Sequence, residues 1–324
     1  MQTTHHTPQE QVIVSIHCLV YNHEAYIKKC LEGFVMQKTN FLFEAIVHDD
    51  ASTDKSADII REYAEKFPHI IKPIYQTENQ YSQKNGAIGQ AIAAKTRGKY
   101  IALCEGDDCW VDPFKLQKQV DFLEAHPDYS LACTDAIVQN GEKELNWLRY
   151  SESCEIPFHD VVGKRGAWIY TASMLYRRTA MDDYPDFAKQ CHIGDYPTTI
   201  HLAMKGKVYF FAEKMVTYHY MHAGSWSAST RINEDFYPNW LSEARMLQGF
   251  KALCKEKHEK LFQRILGKYA IYYLRHAPTM KKKVLEALPD FPKWLEFSDK
   301  LKWWRLRLGL NGIKRKILKH IKQR

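Results

Sequence analysis

Lys99-Tyr-Ile-Ala-Leu-Cys-Glu-Gly-Asp-Asp-Cys-Trp-Val-Asp-Pro113 is the stretch whose reading decides the fold. Tyr100 to Cys104 form a short apolar run, the length of a buried strand. The run breaks at Gly106 and sets down acids: Glu105, Asp107, Asp108 and, a little later, Asp112. A strand ending in clustered carboxylates, in a chain of alternating strands and helices, puts negative charge at the carboxyl edge of a parallel sheet, where ligands bind. Adjacent carboxylates repel unless a cation sits among them. Hard oxygen donors suit Mg2+ or Mn2+, metals commonly shared with substrate phosphates. Taken alone, the acids fit a solvated turn equally well.

Upstream, 12–20 is a β-branched run that reads as the first strand and ends in Tyr21-Asn22-His23-Glu24. Residues 25–36 carry Ile27, Leu31, Phe34 and Val35 at helical spacing. A second strand over 41–47 ends in His48-Asp49-Asp50-Ala51-Ser52-Thr53-Asp54, where Ser52 or Thr53 can cap a helix running to about Lys66. A third strand covers 70–75, a polar loop 76–85, and a helix 87–96 stopped by Gly98. The pattern is β-α-β-α-β-α-β, with polar signatures after strands one, two and four. It predicts a doubly wound α/β sheet, mostly parallel, with its site at the strand ends. Neither a Gly-x-Gly-x-x-Gly fingerprint nor a Gly-Lys-Ser/Thr phosphate loop is present, so a bound nucleotide would be held by side chains and a metal. Downstream, the pattern predicts a helix over 114–123, a strand over 129–138, an irregular polar stretch over 139–160 and a β-prone run over 168–176. A helix over 198–204, a strand over 207–211 and a helical remainder from about 233 complete the reading.

Bulk properties bound the class. The chain has 324 residues, 45% hydrophobic and 13% aromatic, which is a globular composition. No run of 18 apolar residues predicts a membrane-spanning helix. The polar residues 1–11 carry no signal-peptide core and are expected to be disordered. The eight cysteines form no Cys-x-x-Cys pair and read as reduced, mostly buried cytosolic thiols. The net charge of +8 is uneven: residues 300–324 hold ten Lys or Arg and no acid, leaving 36 basic against 38 acidic residues elsewhere.

Four motifs in order carry a resemblance. Val14-Ser-Ile with Tyr21-Asn22, Asp49-Asp-Ala-Ser-Thr-Asp54, Glu105-Gly-Asp-Asp-Cys-Trp110 with Asp112-Pro113, and Gly194-Asp195 resemble family 2 glycosyltransferases of GT-A fold, over about two thirds of the chain. The resemblance implies an inverting, metal-dependent enzyme that uses a nucleotide-sugar donor. It assigns Tyr21, Asn22 and Glu24 to the nucleotide, Asp50 to its base, and Asp49 to support of the loop. Asp108 is implied as the direct ligand of one Mn2+ or Mg2+, with Asp107 on the ribose or in the metal's shell and Glu105 as the spare candidate. The family often writes this motif Asp-x-Asp, and here it reads Glu-Gly-Asp-Asp. His222, in a Tyr-x-x-x-His-x-Gly-Ser context similar to a late family segment, is implied for the metal or phosphates, with His219 close enough to be confused with it. Asp195 matches the catalytic base, which takes a proton from the acceptor hydroxyl as it attacks C1. The bland alternative for Asp195 is a helix cap. Lys84 and Asn85 could reach the diphosphate or ribose, Arg177 is expected in a supporting place, and Trp110 and Trp226 could wall the sugar pocket.

The expected organisation is a GT-A domain over 12–230, with a donor half 12–130 and an acceptor half 131–230, then a helical extension over 231–324. In the last 25 residues Leu306, Leu310, Ile313, Ile317 and Ile321 fall at helical spacing, lysines and arginines fill the other face, and Trp303-Trp304 stand at the head. This predicts a basic amphipathic segment on an anionic membrane surface, against the alternative of a terminal helix packed on the domain. No nucleic-acid motif accompanies the charge, so nucleic acid is not expected as a partner. The reading is a transferase moving a sugar, with a UDP donor favoured, to a hydroxyl of a glycan or lipid-linked acceptor in cell-surface polysaccharide synthesis. Its expected location is cytoplasmic, at the inner face of the cell membrane. The alternatives are a sugar-phosphate nucleotidyltransferase and a non-catalytic glycan- or membrane-binding protein on the same fold.

Overall fold

The computed structural model describes residues 11–83, 86–147, 150–163, 169–222, 225, 228, 232–254 and 256–307. The chain divides into two compact units. The first comprises residues 1–158, 168–183 and 202–228, and contains the whole sheet.

Strand β1 (Val12–Val20) is its centre. Its branched residues favour extended backbone, and Val14, Ile16, Cys18 and Val20 are buried. It pairs in parallel with β2 (Leu42–Asp49) on one side and β4 (Tyr100–Leu103) on the other, and β2 pairs with β3 (Ile71–Tyr75). Helices α1 (Ile27–Val35), α2 (Ser56–Lys66) and α3 (Ala87–Lys95) make the connections. These elements agree with the sequence reading to within two residues at each end, except that α2 starts at Ser56, two or three residues later than a cap at Thr53 or Ser52 would place it. Beyond β4 come β5 (Cys109–Trp110), helix α4 (Lys115–Ala125), β6 (Tyr129–Asn140), β7 (Lys143–Leu145), β8 (Cys154–Ile156), β9 (Leu175–Arg177) and β10 (Lys207–His219). The sheet order is β3-β2-β1-β4-β9-β6-β10-β5, with β7 on β6 and β8 on β10. The parallel ladders are the long ones. The antiparallel ladders join only two or three residue pairs each.

The insertion of β9, antiparallel to both β4 and β6, turns the parallel half into a mixed sheet. Arg177 holds it there. Its guanidinium donates to the carbonyls of Tyr129 at 2.8 Å, His126 at 3.3 Å and Leu123, and to the Tyr100 hydroxyl at 3.1 Å. Strand β10 is the main departure from the sequence reading, which stops it at Phe211. It continues to His219, with register shifts between Phe211 and Val216 that break the alternation a sequence can display.

Below the acidic turn the core is tight. Cys18, Cys30 and Cys104 line up with Sγ separations of 3.9 and 4.0 Å, and burial pushes the Cys104 thiol up to about 12. At the opposite end of β1, buried Ser15 and Glu44 are joined at 2.8 Å, and Arg97 closes an ion pair on Glu44.

The second unit comprises residues 159–167, 184–201 and 229–324. Its helices include Tyr237–Cys254, Glu259–His276, Lys281–Ala287 and Phe297–Arg307. Fully buried Trp240 stacks on Tyr273 at 5.3 Å and on Tyr269 at 5.9 Å, with Phe250, Phe262, Leu266 and Phe291 also enclosed. Asp195 opens the helix Asp195–Lys205, three residues earlier than the spacing predicts, and its residues to 201 belong to this unit. No helix of the described residues is long and apolar enough to cross a membrane.

Candidate active site

The site forms at the carboxyl ends of β1, β2, β4 and β10. Three non-glycine residues there adopt the left-handed region: Asn22 (φ 57°) after β1, Ala51 (φ 61°) after β2 and Met221 (φ 58°) after β10. Such backbone is held only where its surroundings over-determine it.

At Asn22 the surroundings are visible. Its backbone N–H donates to Ser52 Oγ at 3.0 Å, and its side-chain oxygen accepts from the Thr53 backbone N–H at 2.7 Å and hydroxyl at 3.3 Å. Next along the chain, the His23 N–H donates to Ser56 Oγ at 2.8 Å and the Glu24 N–H to Asp54 Oδ2 at 2.9 Å. Glu24 Oε2 accepts from the Lys55 N–H at 3.1 Å. The two signatures after strands one and two are thus one laced structure. Ser52 is spent on this lacing and does not cap α2. The Ser56 N–H instead donates to Asp54 Oδ1 at 2.9 Å. Tyr21 stands beside the lacing with 46% of its surface exposed.

Asp50 has a task the sequence did not announce. It is 4% exposed, and its carboxylate accepts the backbone N–H groups of Gln80 at 2.7 Å and Tyr81 at 2.9 Å. It therefore anchors the loop after β3, which carries the exposed Tyr81. Lys84 and Asn85, in the continuation of that loop, lie outside the described residues, as does Trp226.

The acids after β4 behave differently from one another. Glu105 is exposed, Asp107 half-buried and Asp108 buried, and their ligand atoms lie within 4.8 Å of one another. Asp108 Oδ1 accepts the His219 backbone N–H at 2.9 Å, whereas Asp108 Oδ2 is buried with no hydrogen-bond partner. Burial, then the charges of Asp107 and Glu105, push the Asp108 carboxyl well above its ordinary range. Burial works the same way on Asp107, but the His222 hydrogen bond and the neighbouring imidazoles outweigh it and hold that carboxyl below the usual range. Two adjacent carboxyls are thus driven apart, Asp108 upward by burial and Asp107 downward by its partners.

Those partners are a cluster of imidazoles. His222 Nε2 donates to Asp107 Oδ2 at 2.8 Å. His219 Nδ1 lies 2.6 Å from the Asp107 carbonyl oxygen, which assigns the hydrogen to Nδ1. Tyr26 contacts both rings, with centroids 4.9 Å from His219 and 4.8 Å from His222. The structure therefore separates the two histidines that the sequence confuses: His222 meets the carboxylate and His219 the backbone. His23 was passed over in the sequence. Its Nδ1 is buried without a partner, burial lowers its pKa, and Asp107 is the largest of the charges opposing that shift. Gly106 explains the fit, since a Cβ there would stand 2.8 Å from His23 Nδ1 and 2.9 Å from Val20 Cγ2.

Two expected residues serve the sheet, and a third belongs to the second unit. Trp110 is a core residue, 2% exposed, with its indole N–H donating to the Ala172 carbonyl at 2.8 Å, Phe34 edge-on at 4.9 Å and Lys115 Nζ over its ring at 4.1 Å. That enclosure corrects its expected place in the sugar pocket. Arg177 braces the sheet, as described. Asp195 is exposed in the second unit at the start of its helix, and its Oδ1 accepts the Tyr196 N–H at 2.7 Å. Tyr196 itself is buried, and its hydroxyl donates to the Val162 carbonyl at 2.5 Å.

Hard carboxylate oxygens, one of them buried and unpartnered, are a donor set that fits a divalent cation. Comparisons with known proteins agree with this architecture. Residues 15–184 match the family model "Glycosyl transferase family 2". An uncharacterized protein of Mycobacterium tuberculosis is 30% identical over 304 residues, covering 90% of this chain and 85% of that one. Among solved structures, S. aureus TarS in complex with UDP-GlcNAc superposes with a TM-score of 0.66 at 17% identity, covering 96% of this chain and 92% of that one. The mannosyltransferase PcManGT from Pyrobaculum calidifontis, in complex with GDP-Man and Mn2+, gives 0.51 at 17% identity, with 94% and 82% covered. With a family model spanning more than half its length, across the carboxyl ends of β1, β2 and β4, this chain belongs to glycosyl transferase family 2 and is a glycosyltransferase on the GT-A fold.

Proposed function

We propose that this glycosyltransferase moves a sugar from a nucleotide-diphosphate donor, with UDP the first choice, to a hydroxyl of a glycan or lipid-linked acceptor, inverting the configuration at C1. Its role would be in cell-surface polysaccharide synthesis. The observation that carries the reading is Asp108, a buried carboxylate with one oxygen unpartnered, next to Asp107 and Glu105 at the carboxyl edge of the sheet. Such an arrangement is costly by itself and becomes favourable with a cation present. That TarS was solved with UDP-GlcNAc and PcManGT with GDP-Man and Mn2+ supports a nucleotide-sugar donor and a divalent metal.

In this reading Asp108 is the principal ligand, with Asp107 and Glu105 beside it and His222 holding Asp107 in its ionised form. A bound Mn2+ or Mg2+ would supply Lewis-acid neutralisation of the charge on the departing diphosphate. Tyr21 offers an exposed ring to the nucleotide. Asn22 and Glu24 keep that ring's loop rigid, and Asp50 fixes the neighbouring loop from which Lys84 and Asn85 would reach the phosphates or ribose. Asp195 removes the acceptor's proton as its oxygen attacks. One base and one displacement leave no covalent intermediate, so the product anomer is inverted.

A donor screen tests this. UDP-, GDP-, dTDP- and CMP-sugars are each incubated with Mn2+, Mg2+ or chelator, and nucleotide release is measured. Metal-dependent release of a nucleoside diphosphate from one donor, absent in Asp108→Asn, is the expected result. Release of pyrophosphate, a retained anomeric configuration, or full turnover in Asp195→Asn would each refute part of the assignment.

A further inference from the structure

The helix Phe297–Arg307 has two apolar faces that point in opposite directions. On one, Trp303 is 9% exposed and meets Phe291 edge-on at 4.9 Å, with Asp299 buried and Leu306 half-buried along the same side. On the other, Phe297, Leu301 and Trp304 are 79%, 47% and 57% exposed. Their spacing of four and three residues puts them on one line of the helix. Single exposed apolar side chains are ordinary, but three in register on one helix face mark a surface built to be covered. This is not the apolar line expected from the sequence, which begins at Leu306 on the inward side.

The surroundings are basic. Lys300 lies exposed on one flank of the line and Lys302 on the other, and Lys293 is exposed just upstream. The nearby acids are engaged: Asp299 pairs with Lys302 at 2.6 Å, Asp290 with Lys293 at 2.7 Å, and Glu296 with Arg264 at 2.8 Å and Lys268 at 3.7 Å. The sequence that follows, 308–324, holds six Lys or Arg and no Asp or Glu.

We propose that the Phe297–Leu301–Trp304 face is a docking surface for an anionic lipid bilayer. The helix lies parallel to the membrane with its apolar line at the acyl boundary and its lysines among the headgroups. The charge pattern selects this occupant. A second copy of the chain would bring two basic faces together, and residues 308–324 carry the same sign as the surface they would have to cover. An anionic bilayer complements both the apolar line and the charge. The proposal is separate from the transfer reaction and does not depend on which sugar is moved.

The test is co-sedimentation of the full chain with vesicles of phosphatidylcholine alone and of phosphatidylcholine with phosphatidylglycerol. Binding is expected only to the phosphatidylglycerol vesicles and should weaken as salt is raised. The double substitution Leu301→Glu with Trp304→Glu should lower it at least about tenfold, and Lys300→Glu should lower it several-fold. All three sites are exposed, so the circular dichroism and thermal melt of each variant should match the wild type. The proposal is overturned if the wild type does not sediment with anionic vesicles, or if the double variant sediments as the wild type does. It is also overturned if the wild type is a dimer that the double variant converts to monomer without any vesicle binding.

Discussion

Asp108→Asn replaces a buried carboxylate with a neutral amide of nearly the same shape, and its two expected effects have opposite signs. Without metal, Asp108 lies within 4.8 Å of the Glu105 and Asp107 oxygens with one of its own oxygens unpartnered. Two unit charges at that distance repel by about 3 kcal/mol at an effective dielectric near 20. Protonation of Asp108 and the His222 pairing of Asp107 relieve part of this, so the amide should stabilise the metal-free protein by about 1–2 kcal/mol. The pH dependence carries the same signature. The folded pKa of Asp108 is raised, so the folded state holds a proton that the unfolded state releases. Wild-type stability from this group therefore falls as pH rises from the ordinary carboxylate range through the raised value. The gap between variant and wild type in chelator should widen over that window. With Mn2+ at about a hundred times its Kd, the wild type should gain about 2.7 kcal/mol and the variant little, while donor turnover in the variant falls at least about a hundredfold. Thermal melts over a pH series, with chelator and with Mn2+, read all of this. A variant that melts below the wild type in chelator, or that gains as much from Mn2+, would refute the reasoning.

Asn22→Ala removes a side-chain oxygen that accepts two hydrogen bonds and forces alanine into φ 57°. A loss of about 2 kcal/mol and a raised donor KM are expected, measured by denaturant melts and initial rates. Trp110→Phe deletes the indole N–H bond to Ala172. It should cost about 1–3 kcal/mol in stability and leave donor KM unchanged, whereas a wall of the sugar pocket would show the reverse. Lys115 is fully buried, its ammonium donates to Gln119 Oε1 at 2.8 Å, and burial lowers its pKa to about 7. Above that value the unfolded chain holds the proton and the folded chain does not, so wild-type stability should rise between about pH 7 and the ordinary lysine value near 10.4. Relative to Lys115→Met, a flat difference across that window in chemical denaturation would count against it.

What the sequence made legible was local. The branched run of β1, the acid-ended apolar run of β4 and the helical spacings between them are written in neighbouring residues, so the succession of strands and helices and the acidic edge could be read. The rest depends on distant partners. Trp110 looks like a pocket aromatic until Gly33 of α1 is seen against its backbone, where a Cβ would come within 2.9 Å. Asp50 looks free until the N–H groups of Gln80 and Tyr81, thirty residues away, close on it. The strand β10 hides behind its own bulges, and with it the difference between His219 and His222. His23 had a signal, its place in the Tyr21-Asn-His-Glu24 quartet, but only the approach of Gly106 gives it meaning.

The lacing of the turns after β1 and β2 has a bearing on how such enzymes diversify. Six hydrogen bonds run between residues 22–24 and 52–56, and both side chains and backbone contribute from each turn. Neither turn can be exchanged alone without stranding the other's donors and acceptors. The pair is therefore one heritable cassette: a chimera built from two related enzymes should fold when both turns come from the same parent and fail when they do not. The loop that Asp50 anchors is attached through its backbone N–H groups. The exposed Tyr81 side chain can change behind that fixed attachment, whereas Asn79, whose side-chain amide also donates to the Asp50 carbonyl at 3.3 Å, is part of it.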